Sequence, residues 1–125
     1  MIQETPVVYR VVKTFQAPQD DPLVVLEGER LAFERRETEW PGWIWCVDES
    51  GKSGWVPEEW VCPEGKTCVM RRDYDGTELS VADGEEFVVA LVESGWAWGT
   101  TSDGREGWVP MTCLDKIEHG GKGQG

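Results

Sequence analysis

The chain reads as all-β, two small five-stranded barrels in tandem. Three observations carry that reading: an internal repeat, the scarcity of helical periodicity, and eight Trp in 125 residues. That length holds one ordinary domain or two very small ones. Small units bury a low fraction of their surface. A heavy aromatic load offsets this, because each Trp removes a large area from water.

The repeat is the strongest of the three. The stretch L-V-V-L-E-G-E-R-L-A-F-E from Leu23 has a partner, L-S-V-A-D-G-E-E-F-V-V-A, from Leu79. G-W-I-W-C at Gly42 answers G-W-A-W-G at Gly95. G-W-V-P ends once at Pro57 and once at Pro110. Block order is the same in both halves. The first half carries extra residues around Glu39 to Pro41, which belong in a surface loop. C-P-E-G-K at Cys62–Lys66 breaks structure through Pro and Gly. The sequence therefore predicts barrels over 6–62 and 67–118, a linker at 63–66, and a disordered Gly-rich tail at 119–125.

Each element follows from local pattern. No segment sustains an i, i+3, i+4 apolar series over a dozen residues. Val7–Phe15 is rich in β-branched and aromatic residues and reads as a strand. Arg30–Glu34 alternates. Gly42–Val47 puts Trp43 and Trp45 on one face, with Ile44 and Cys46 on the other. Ser50-Gly51 and Asp103-Gly104 are tight turns between strands. Gly54-Trp55-Val56 opens a further strand that Pro57 ends by removing a ladder donor.

Charge and chemistry narrow the function. The net charge is -12, with no basic block, which argues against nucleic acid and against an anionic membrane. Met1–Thr5 shows no basic start followed by an apolar stretch, so a cytoplasmic setting is expected. Cys46, Cys62, Cys68 and Cys113 lack paired ligand spacing, so neither a metal nor any other cofactor is expected. Four unrelated thiols are preferred over a Cys62–Cys68 disulfide. The single His, His119, lies in the tail, leaving no Ser-His or Cys-His pair, and no Gly-rich phosphate loop precedes a helix. No catalytic residue is assigned.

The block order resembles the Src-homology-3 family: an A-L-Y-D-Y strand, an acidic loop, D-L-S-F-x-x-G-E, a Trp pair, G-x-[IV]-P, then a turn ending in an aromatic. E-L-S-V-A-D-G-E from Glu78 matches the third of these closely, P-L-V-V-L-E-G-E from Pro22 less so, and G-W-V-P matches twice. The resemblance spans roughly Val7 to Ile117. It implies two tandem five-stranded barrels of that family, each with a shallow aromatic groove for Pro-rich segments in the polyproline II conformation. In the first barrel it implies a ligand site of Phe15, Asp20, Asp21, Trp43, Pro57 and Trp60, with Lys13 replacing the first Tyr and Pro22 an Asp. In the second it implies a weaker groove of Glu78, Trp96 and Pro110. There Val69 and Arg71 fall at the Tyr positions if the loop has no gap. A shorter loop brings Tyr74 in instead. Cys113 replaces the last aromatic.

The function expected is non-enzymatic binding of a protein or Pro-rich peptide, with basic ligand residues drawn to the acids, mainly through the first barrel of a monomer. The alternative is an assembly role, with two rigidly packed barrels meeting a partner subunit outside the groove.

Overall fold

The computed structural model describes residues 7–18, 21–38 and 40–117. Along the chain run β1 (Val7–Val11), β2 (Val24–Val25), β3 (Arg30–Glu34), β4 (Trp43–Val47), β5 (Ser53–Pro57) and β6 (Val61–Glu64). Then come β7 (Thr67–Met70), β8 (Tyr74–Asp75), β9 (Glu86–Glu93), β10 (Trp96–Thr101), β11 (Glu106–Pro110) and β12 (Leu114–Lys116). Short 3-10 turns follow β5 and β11, at Glu58–Trp60 and Met111–Cys113.

Two five-stranded sheets result, in the orders β5-β4-β3-β7-β6 and β11-β10-β9-β1-β12, with a small β2-β8 ribbon beside the first. The expected architecture, two five-stranded barrels, is present. Their boundaries, however, differ from the sequence halves 6–62 and 67–118. One compact unit is 18–78, and the other joins 1–17 to 79–125. Strand β1, expected to start the first barrel, pairs with β9 and β12 instead, through Val8↔Val88, Arg10↔Glu86 and Val11↔Leu114. Strand β7, expected to open the second barrel, pairs with β3 and β6. The opening strands of the two repeats are exchanged.

The cause is the linker. Only Gly65 and Lys66 separate the paired residues Glu64 and Thr67. Gly65 sits at φ +68°, which glycine adopts without steric cost and which suits the first central position of a type II′ hairpin turn. A hairpin that tight lays β7 directly against β6, so the repeat's new strand closes the unit it has just left. The other unit is then completed by β1.

The exchange leaves local geometry intact. Val11 N–H donates to Glu85 O and Gly84 N–H to Val11 O; Met70 N–H donates to Glu29 O and Gly28 N–H to Met70 O. Phe15 bridges Val81 as Tyr74 pairs with Val25. Positions 11, 13 and 15 thus correspond to 70, 72 and 74.

Both units bury apolar side chains. In 18–78 they include Leu23, Val25, Leu31, Ile44, Cys46, Val56, Cys68 and Met70. In the other a core cluster includes Val11, Val81, Phe87, Val89, Ala97, Val109 and Leu114. The cores trade volume at equivalent positions: Leu31 and Cys46 in one correspond to Phe87 and Gly99 in the other. A Cβ on Gly99 would lie 2.9 Å from the Phe87 ring and 2.2 Å from Val88 O.

Candidate functional site

The side chains of β4 and β5 that share a face are set by the two-residue period. Trp43 lies opposite Pro57, and Trp45 opposite Trp55. The Trp45 and Trp55 rings meet edge to face at 5.3 Å, and the Arg36 guanidinium sits 4.3 Å over Trp45. The turn after Pro57 presents Trp60, whose ring meets Tyr74 edge-on at 5.6 Å. Arg72 lies 3.9 Å over the Trp60 ring. The Tyr74 hydroxyl donates to Trp55 O at 2.7 Å, and burial drives its phenol well above the ordinary range, so it stays protonated. Trp43, Trp60 and Tyr74 are all buried, at 8%, 7% and 5% exposure.

The other unit repeats the arrangement with different occupants. Trp96 lies opposite Pro110, and Trp98 opposite Trp108 with rings 5.7 Å apart. Phe15 is held by paired backbone bonds with Val81, both 2.9 Å. Its ring meets Trp96 edge to face at 5.7 Å, within the range such pairs favour. Both rings are half-buried. Glu93 stands directly across the β9–β10 hairpin from Trp96. Ser94, in that hairpin, takes φ 46° and donates its hydroxyl to Glu93 at 3.2 Å. Where the first unit has Trp60, this one has Cys113: Val12 N–H donates to Cys113 O as Arg71 N–H does to Trp60 O.

Placement of the expected site residues follows the exchange. Trp43, Pro57 and Trp60 do share one unit. Phe15 does not join them, because β1 carries it to Trp96. Asp21 is exposed and belongs to 18–78. Asp20 lies outside the described residues, as does the tail 119–125. Trp96 and Pro110 come together as expected. Glu78 is grouped with 18–78, where its charge acts on Tyr74. Desolvation raises the Glu78 carboxyl above its usual range. Tyr74, which the shorter-loop reading brings to the second groove, stands instead beside Trp60 in unit 18–78; Arg71 is exposed and Val69 is a β7 strand residue.

Two residues escaped sequence reasoning. Arg72 would have been found by letting the loop before Glu78 run shorter than its counterpart before Pro22. Glu93 would have been found from its place across the hairpin from Trp96. All four cysteines are free, with Cys46, Cys68 and Cys113 buried and Cys62 exposed. Among the described residues, no group of three His, Cys, Asp or Glu could hold a metal ion.

No curated protein matches the chain. A family model, that of the variant SH3 domain, matches it twice, over residues 8–64 and 66–117. Domains of this family are in general protein-interaction modules. Each of the two aromatic faces is built from a Trp–Pro pair and a ring from an exchanged segment, and the chain belongs to the variant SH3 domain family, in two copies.

Proposed function

We propose that this chain is a non-enzymatic peptide-binding module whose main ligand contact is the Phe15–Trp96 face. The observation that carries this is the pair itself: two half-exposed rings in edge contact at 5.7 Å, with Pro110 opposite Trp96. Flat, partly exposed rings offer ridges for the pyrrolidine rings of a Pro-rich segment in a polyproline II conformation. Glu93 across from Trp96 supplies a carboxylate for a basic ligand residue. The Trp43, Trp60 and Tyr74 rings are more deeply buried, so the preference for the first-half groove passes to the unit that holds Phe15. A shallow face of this size supports an affinity on the order of micromolar.

The test is calorimetric titration of the full chain with a Pro-rich peptide bearing one Arg. Trp96→Ala should weaken binding at least about tenfold, the scale of a central aromatic anchor. Trp43→Phe should leave it unchanged. The proposal fails if Trp96→Ala binds as the parent does while its amide protection shows a folded unit.

A further inference from the structure

We propose that the Arg72–Trp60 platform of unit 18–78 is a second ligand site, and that it takes an acidic extended peptide. The inference rests on the reading that the chain's aromatic faces bind peptides, and it assigns this face the opposite ligand charge. Arg72 occupies the position where the resemblance expects the first groove Tyr, since Arg71 N–H bonds Trp60 O just as Val12 N–H bonds Cys113 O. Its guanidinium carbon lies over the Trp60 ring, 3.9 Å from the centroid, so the side chain offered there is a cation in place of a bare ring. A proline could stack on Trp60 only by displacing it.

The arrangement is prepared for a carboxylate. Guanidinium stacked on an aromatic keeps its in-plane N–H donors available, and their fork matches a carboxylate bidentately. Arg72 is exposed. Among the described residues no carboxylate lies within ion-pair distance of it. Glu58 pairs with Arg35, and Asp73 accepts the Glu27 N–H at 2.8 Å. Arg71, also exposed, adds a second positive charge beside it. Tyr74 meets Trp60 in an edge contact, ring centroids 5.6 Å apart, which holds the stack in place before any ligand arrives. The equivalent residue of the other unit, Lys13, has Cys113 in place of the tryptophan, so no such platform forms there.

Three peptides of equal length and proline content, bearing Glu, Arg or Gln at the same two positions, would be titrated into the full chain. Affinity would be read by anisotropy, and the sites by the Arg72 side-chain N–H and the Trp60 indole N–H resonances. The Glu peptide should bind more tightly than the Gln peptide, shift both resonances, and weaken as salt is added. Arg72→Gln should weaken the Glu peptide about tenfold, as expected for loss of a charge-assisted hydrogen bond, and leave the Arg peptide unaffected. Arg72→Lys, which keeps the charge and loses the fork, should fall between. Equal affinity for the Glu and Gln peptides, or an unchanged Glu affinity in Arg72→Gln, overturns the acidic site. Binding of the Arg peptide alone overturns it while leaving the Phe15–Trp96 reading standing. Failure of all three peptides to bind overturns both.

Discussion

Val11→Ala separates the exchanged fold from two sequence-contiguous barrels. Val11 has 0% exposure and pairs with Leu114, in the core that also holds Phe87, Val89 and Val109. The substitution deletes two methyl groups, each worth about 0.8 kcal/mol of burial, and leaves a partly unfilled cavity, for a total of about 2 kcal/mol. At roughly tenfold per 1.4 kcal/mol, the open population of that unit rises about thirtyfold. Native-state hydrogen exchange reads this residue by residue. Amides of Phe87, Val89, Ala97 and Val109 should exchange about thirtyfold faster, while Leu31, Ile44, Cys46 and Val56 stay at parental rates. Met70→Ala, at the equivalent buried position, should cost about 2–5 kcal/mol and invert the pattern. Faster exchange at Leu31–Val56 in Val11→Ala would return β1 to the barrel of its own repeat and refute the exchange.

Other outcomes follow from particular contacts. Gly99→Ala forces a Cβ against Val88 O and Phe87 and should destabilise its unit by about 1–3 kcal/mol; the double variant Phe87→Leu, Gly99→Cys, which imports the packing of the other core, should recover part of that loss in thermal melts. A thiol reagent should modify Cys62 quickly and the other three slowly, because Cys46, Cys68 and Cys113 are buried and desolvation pushes the Cys46 and Cys68 thiols up; more than one fast thiol in the native chain would contradict the placement. Burial raises the Glu78 carboxyl, so the folded chain holds its proton more tightly than the unfolded one, and its contribution declines as pH rises from the usual carboxylate range through the folded value. Glu78→Gln should therefore melt higher than the parent near neutrality and alike in acid. Asp103 has the opposite sign: the Thr101 hydroxyl and then Arg105 lower its carboxyl, so its stabilisation is present above the usual carboxylate range and fades as pH falls below it, a loss that Asp103→Asn should abolish.

Much of this fold was legible because it is local. The Trp43–Val47 alternation, the Pro57 and Pro110 strand ends and the turn glycines follow from short-range chemistry, and all are found. The repeat likewise revealed two barrels of equal strand order. It could not reveal which copy of an opening strand closes which barrel, because β1 and β7 fill the same kind of slot, each anchored by one buried apolar residue at its end, Val11 or Met70. The decision was made by Gly65 and Lys66, two residues read as a linker that instead turn a hairpin. The candidate site inherited that error through Phe15 and Glu78, both carried on or beside the exchanged segments. Trp43, Pro57 and Trp60 sit on contiguous chain and share unit 18–78. Arg72 was obscured by a loop-length difference, which shifts an alignment without changing the physics of the groove.

The Gly65–Lys66 hairpin also orders events during synthesis. Unit 18–78 has all its described strands once residue 78 has left the ribosome, whereas β1, made before them, must wait for β9 and for β12 at Leu114–Lys116. Until then Val7–Val11 is an unpaired strand with β-branched residues, the kind of segment that recruits neighbouring chains. Its one charge, Arg10, falls in the middle of V-V-Y-R-V and works as a guard against that pairing. Of the described strands, the one translated before all the others is among the last to find its place.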